Sequence, residues 1–305
     1  MRRLIAGLAV GFVLIAAVAL SRPSGSSQAT SSAGLQVVRE ERNPWNHLRL
    51  NNESSTFRFA IASDRTGGPR KGVFERAIEQ LNLLQPEFVV CVGDLIDSRT
   101  ADVGKLNREW KEFNGFIERL EMPFFYCVGN HDIANPVMDR KWREQFGRNY
   151  YHFVYKNVLF LMLNTEDPPL AKSGGRFSKE QIGYVREVLA ANRDARWTLV
   201  FLHRPSWTYP DLAQTGWLEM EQLLTGRRYS VFAGHKHTYV RSVRNGQKYF
   251  MLATTGGESK LRGAPRGEFD HLVWVTMKRE GPVLANLMME GIFSEDIQRS
   301  FAPEE

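Results

Sequence analysis

Pro123-Phe124-Phe125-Tyr126-Cys127-Val128-Gly129-Asn130-His131-Asp132 joins an apolar run to a polar turn. Its first half is a continuous apolar run bounded by Pro and Gly. Such a run reads as a short strand buried on both faces, the kind found inside parallel sheets. Gly129 lets the backbone turn sharply, and Asn130, His131 and Asp132 bring ligand and proton-transfer chemistry directly after it. In open α/β sheets, ligands bind just beyond the carboxyl ends of the strands. Taken alone, the tetrapeptide fits a polar turn as well as it fits an active site.

Four further runs tip that balance. Phe57 to Ala62 ends in Ser63-Asp64-Arg65-Thr66, and Phe88 to Val92 ends in Gly93-Asp94-Leu95-Ile96-Asp97. Trp197 to Leu202 ends in His203-Arg204-Pro205, and Tyr229 to Ala233 ends in Gly234-His235-Lys236-His237. Four of the seven histidines lie in these tips, which turn chemistry alone does not demand. Between the first three runs, apolar residues recur at helical spacing. The first set is Val73, Phe74, Ala77, Ile78, Leu81 and Leu84; the second is Trp110, Phe113, Phe116, Ile117 and Leu120. Strands separated by such helices imply right-handed crossovers and a parallel sheet.

Later segments add hairpins. Tyr150 to Tyr155 and Val158 to Leu163 pair about Lys156-Asn157, and Tyr239 to Arg244 and Gln247 to Ala253 pair about Asn245-Gly246. Val137 to Phe146 and Trp217 to Leu224 read as helices, and Ser178 with Gln181 reads as a capping box. Glu166 to Gly175 reads as a rim loop, and Ser206 to Gly216 as a lid carrying Trp207 and Tyr209. Asp270 to Met277 and Val283 to Met288 are two more strands. The expected architecture is α/β: a four-layer αββα sandwich of two mixed sheets flanked by helices.

The order Asp64, Gly93-Asp94-x-x-Asp97, Gly129-Asn130-His131-Asp132, His203, Gly234-His235-x-His237 resembles the calcineurin-like metallophosphoesterase superfamily. The likeness spans roughly residues 57 to 293. One block departs: the family's first motif is usually Asp-x-His, and here it is Asp64-Arg65-Thr66. The resemblance implies a metal-dependent phosphoesterase acting on a phosphomonoester or phosphodiester through a metal-bound hydroxide. It implies two divalent ions. Asp94, Asn130, His203 and His235 would hold one, and Asp64, Asp94 and His237 the other, where Thr66 replaces the usual fourth ligand. His131 would act as general acid or charge stabiliser rather than ligand, with Asp132 orienting it and Asp97 behind the ligands. The residue types agree: carboxylate, amide and imidazole suit Mn, Fe, Zn, Ni or Co, and one carboxylate can bridge two ions about 3.5–4 Å apart. The Asp64 site is expected to bind more weakly, because a hydroxyl is a poorer ligand than imidazole.

Other residues carry two readings each. Asp97 also fits an ordinary helix cap, and Arg65 and Arg204 fit either a phosphate grip or solvated surface. His271 reads as a packed strand histidine, while His47, His152 and Glu258 have no motif behind them. Cys91 and Cys127 hold equivalent places before Gly93 and Gly129, and are expected to be free, buried thiols.

The 305 residues, 43% hydrophobic, suffice for a large core. A net charge of +6 suits a phosphate-bearing substrate, although a solvated surface with slightly more Lys and Arg is the simpler account. No dense Lys/Arg run with interleaved aromatics supports nucleic-acid binding. Met1-Arg2-Arg3 before the apolar residues 4–20 reads as an export signal, cleaved after Ala17-Val18-Ala19 or retained as a membrane anchor. The expected division is a signal or anchor over 1–20, an irregular linker over 21–55, a metallophosphoesterase domain over 56–293 and a tail over 294–305. The domain is expected outside the cytoplasm. A metal-binding protein that recognises phosphorylated ligands without turnover is the alternative reading, and the oligomeric state has no signal in the sequence.

Overall fold

The computed structural model describes residues 52–167 and 174–291, together with Trp45, Leu48 and Leu50. The export signal or anchor, most of the linker, His47, residues 168–173 of the rim loop and the tail over 294–305 lie outside the described residues. The chain divides into two units, Met1–Glu53 and Ser54–Glu305, and every element named below belongs to the second. Among the described residues no helix is long and apolar enough to cross a membrane.

The chain runs β1 (Phe57–Ala62), α1 (Val73–Leu84), β2 (Val89–Cys91), α2 (Val103–Ile117), β3 (Phe124–Phe125), α3 (Pro136–Phe146), β4 (Tyr151–Tyr155), β5 (Val158–Met162), α4 (Lys179–Ala191), β6 (Trp197–Phe201), α5 (Leu212–Thr215), α6 (Trp217–Leu223), β7 (Tyr229–Ala233), β8 (Val240–Arg244), β9 (Gln247–Met251), β10 (His271–Lys278) and β11 (Gly281–Met288). One sheet has the order β11-β10-β1-β2-β3 and the other β4-β5-β6-β7-β9-β8. β1, β2 and β3 are parallel, as are β5, β6, β7 and β9. β10 pairs antiparallel with β1, so both sheets are mixed. The two-sheet α/β sandwich expected from the strand–helix pattern is therefore observed.

Phenylalanines build the layer between the sheets. Phe160, Phe201, Phe232 and Phe250 stack across β5, β6, β7 and β9, with centroids 5.0–6.1 Å apart. Phe59 of β1 meets Phe160 edge-on at 5.4 Å. Each such pair adds about 0.5–1.5 kcal/mol beyond area burial. α1 and α2 cover the first sheet with Phe74, Ile78, Trp110 and Phe113. α4 and α6 cover the second with Val185, Leu189, Trp217 and Met220. In both hairpins the turn residues adopt left-handed backbone, Lys156 and Asn157 at φ 43° and 60°, Asn245 and Gly246 at 53° and 71°. Two-residue hairpins with positive φ at both positions match the twist of the flanking strands.

Three expectations need correction. β3 is not buried on both faces: it is a two-residue edge strand whose Phe124 and Phe125 are half-buried, because no further strand pairs beyond it. α2 begins at Val103, well ahead of the apolar set that starts at Trp110, since Asp102 Oδ1 accepts from the Lys105 amide and caps it there. At α4 only half a capping box forms. Ser178 Oγ accepts from the Gln181 amide, but the Gln181 side chain bonds the main chain of Asn164. Cys91 and Cys127 are free and buried as expected, and burial pushes the Cys91 thiol up to about 12.

Candidate metal centre and active site

The strand tips named by the sequence meet at one end of the fold. β1 delivers Asp64, β2 delivers Asp94, β3 leads to Asn130 and His131, β6 delivers His203, and β7 delivers His235 and His237. Two glycines allow the tips to close. A Cβ on Gly129 would come within 2.3 Å of the Asp94 amide, and one on Gly234 within 2.0 Å of Asp64 Oδ2. Asp94, His235 and His237 themselves sit at φ 58°, 72° and 52°. Left-handed backbone costs a non-glycine residue on the order of 1–3 kcal/mol and persists where the surroundings enforce it.

The buried centre consists of Asp94, His203 and His235, with one donor atom from each lying within 4.8 Å of the others. His203 has its Nδ1 on the Val92 carbonyl at 2.9 Å, which turns Nε2 towards Asp94 Oδ2 and Asn130 Oδ1, both at 3.1 Å. His237 is anchored the same way, Nδ1 on the Glu258 carbonyl and Nε2 3.4 Å from Asp64 Oδ1. Asp64 Oδ1 also accepts from the His235 amide at 2.8 Å. Burial disfavours charge on both members of the Asp94–His203 pair, yet each stabilises the other. The Asp94 carboxyl is held well below the usual range, and His203 is raised to about 9. Burial, with the charges of His203 and Arg204 nearby, pushes His235 down to about 2 and keeps it neutral.

His131 lies beside this cluster. Its Nδ1 meets the Asp97 main-chain carbonyl at 2.6 Å, and its Nε2 accepts from Arg99 at 2.8 Å. Asp132 therefore does not orient the imidazole. Its carboxylate, fully buried, accepts from the amides of Gly129, Asp94, Leu95 and Ile96 at 2.7–3.2 Å and ties the β2 tip to the β3 tip. Burial and the neighbouring Asp94 carboxylate push the Asp132 carboxyl up, against four donors that favour its ionised form. Asp97 is exposed and accepts from Thr66 Oγ1 at 2.5 Å, so the Thr66 hydroxyl is engaged away from Asp64.

Arg65 is a second correction. Its guanidinium donates to the Leu95 carbonyl and to Glu112, and packs 5.0 Å over Phe116, which leaves it against α2 rather than over the site. Arg204 does face the site: Nε pairs with Glu166 at 2.5 Å and a terminal nitrogen donates to His235 Nε2 at 3.0 Å. Trp207 packs on Tyr249 and Trp217, so the expected lid is anchored at that residue. Sequence reasoning missed Arg99 and Glu166. Glu166 had a readable signal, since Val158 to Leu163 is a sixth apolar run ending in Asn164-Thr165-Glu166. Arg99 had none.

The donors present fit a divalent metal. They combine the buried carboxylates of Asp64 and Asp94 with imidazoles, and in His203 and His237 a main-chain carbonyl fixes Nδ1 and turns Nε2 to the carboxylates.

Residues 57–239 match the model of the calcineurin-like phosphoesterase family. The chain is 26% identical over 125 residues to the probable glycerophosphodiester phosphodiesterase GpdQ of Arcobacter nitrofigilis, covering 40% of this chain and 42% of that protein. It is 27% identical over 186 residues to the serine/threonine-protein phosphatase CPPED1 of Bos taurus, covering 53% of this chain and 58% of that protein. It thus spans about half the length of these curated relatives. Among solved structures, the purple acid phosphatase PPD1 from yellow lupin (Lupinus luteus) seeds superposes with a TM-score of 0.59 at 15% identity, over 79% of this chain and 53% of that one. At that identity the likeness is one of fold.

Proposed function

The chain belongs to the calcineurin-like phosphoesterase family, and from that premise we propose that it is an exported, metal-dependent hydrolase of phosphoric esters. The observation that carries this reading is the convergence of Asp94, His203 and His235 beside His131, whose Nδ1 is held by the Asp97 carbonyl. Asp94, Asn130, His203 and His235 would hold one divalent ion; Asp64, Asp94 and His237 would hold a second, more weakly. Divalent ions there would neutralise phosphoryl oxygens and make bound water acidic enough to supply a nucleophile near neutral pH.

The chain's own residues do the rest. Arg99 and Arg204 bring guanidinium donors towards the site, suited to non-bridging phosphate oxygens. His131 Nε2, once protonated and released from Arg99, would deliver a proton to the leaving-group oxygen or share its charge. The Asp97 carbonyl fixes the ring's orientation, and Asp132 fixes the loop that bears it. One relative is named for a phosphodiester and the other for a phosphoprotein, so the substrate class taken here is the phosphoric ester in general. Export rests on residues 1–20, and membrane association would follow if residues 4–20 are retained.

The test is turnover of p-nitrophenyl phosphate and bis(p-nitrophenyl) phosphate across Mn, Fe, Zn, Ni and Co, with Asp94→Asn beside the wild type. The variant is expected to lose metal and nearly all activity. Wild-type metal content with undiminished turnover in the variant would end the reading.

The engagement of Thr66 with Asp97 favours a second reading, a phosphate-recognising protein whose weaker metal site does not fill. Thr66→His should tighten that site in a metal titration. Two equally tight sites in the wild type, with no gain in the variant, would mean that another residue already supplies the ligand.

A further inference from the structure

Away from the metal-ligating tips, the layer between the sheets ends in polar side chains. There Ser230 precedes Phe232 on β7 by two residues, and Lys248 precedes Phe250 on β9 by two. Side chains alternate along a strand, so both face the opposite sheet with those phenylalanines. Trp197 at the start of β6, with Lys278, Gly281 and Pro282 from the β10–β11 turn, completes the wall of a cavity of about 290 Å³. Gly281 lies against the indole, where a Cβ would come within 2.6 Å of the ring.

The lining is chemically unbalanced. Ser230 is fully buried and its Oγ has no hydrogen-bond partner among the described residues; the same holds for the buried Nε1 of Trp197. Alanine or valine would fill such a strand position without stranding a polar atom. Both stranded groups can donate a hydrogen bond. Neither Lys248 nor Lys278 has an ion-pair partner among the described residues. More positive charge lies nearby: Arg228 stands 5.5 Å over the Trp197 ring, and Arg196 is held below its usual range by burial and by Arg228 and Arg279. Glu280 is the acid in the wall. Donors without acceptors, two lysines without ion-pair partners among the described residues and a flat aromatic surface together define a complementary ligand.

We propose that this cavity is a second ligand site, distinct from the metal centre, for a small organic anion with a flat apolar body. Lys248 and Lys278 meet its charge, Ser230 Oγ and Trp197 Nε1 donate to its acceptors, and the indole edge and Pro282 cover its body. The volume suits a molecule the size of an aromatic carboxylate.

Benzoate titrated into the full chain is the test, with calorimetry for stoichiometry and tryptophan fluorescence for place. One-to-one saturation is expected below about 10 mM, the range open to a ligand of roughly ten heavy atoms. The fluorescence change should vanish in Trp197→Phe. Affinity should fall by about tenfold or more in Lys248→Gln/Lys278→Gln and persist in Lys248→Arg/Lys278→Arg, whose thermal midpoints report whether each folds. Absence of saturation in the wild type would mean that the cavity holds only water and would overturn the proposal. An equal response to benzyl alcohol, or undiminished affinity in the glutamine pair, would overturn it as well.

Discussion

At the scale of the residue, His131 is held between the Asp97 carbonyl and the Arg99 guanidinium, with both ring nitrogens engaged and its own amide bonded to Asp94 Oδ1. We propose that His131 acts on the leaving group and does not hold the metal. His131→Ala should keep the wild-type metal content yet slow hydrolysis by about 10²–10⁴-fold. The loss should shrink for nitrophenolate esters, whose leaving group needs no proton. Elemental analysis beside turnover checks this, and joint loss of metal and activity would make His131 a ligand after all. The histidine was legible because it stands in a motif. Arg99 was not, because an arginine two residues beyond Asp97 looks like any surface charge until the fold places it against the imidazole.

At the scale of the element, Asp132 joins the β2 and β3 tips through four main-chain amides. β3 pairs through only two residues, so this carboxylate supplies much of what fixes the Asn130-His131 turn. Asp132→Ala would strand buried donors and should cost about 3 kcal/mol, read as a lower urea midpoint at neutral pH. Strand β10 carries a separate pH dependence. His271 is fully buried, and burial pushes its imidazole down to about 4, against about 6.5 in the unfolded chain. The unfolded chain therefore takes up the proton first. The stability contributed by neutral His271 is complete above pH 6.5 and is lost as pH falls, levelling near pH 4 after a loss of about 3 kcal/mol. Urea midpoints of wild type and His271→Gln across that window measure it, and parallel curves would refute it.

At the scale of the whole molecule, the fold gathers Asp64, Asp94 and Asp132 at one buried end, a charge arrangement that a bound cation relieves. A metal that binds only the folded chain stabilises it by about 2.7 kcal/mol at a hundredfold excess over Kd. Chelation should therefore lower the thermal midpoint by about 5–10 °C for a unit of this size, with recovery on adding Mn; an unmoved midpoint would count against the centre. Legible in the chain alone are the apolar runs, the helices between them, both hairpin turns and the strand tips that carry Asp64, Asp94, Asn130, His131, His203, His235 and His237. These are local properties, written in the period of consecutive side chains and in turn residues that tolerate positive φ. It takes the folded chain to show that Asp132 serves the backbone rather than His131, that Arg65 turns to Glu112, that Glu166 holds Arg204, that β3 is an edge, and that Ser230 and Lys248 line a cavity at the far end. Each of these depends on a partner many residues away. Such partners are fixed by strand register and by how closely the loops approach, and neither leaves a period in the sequence.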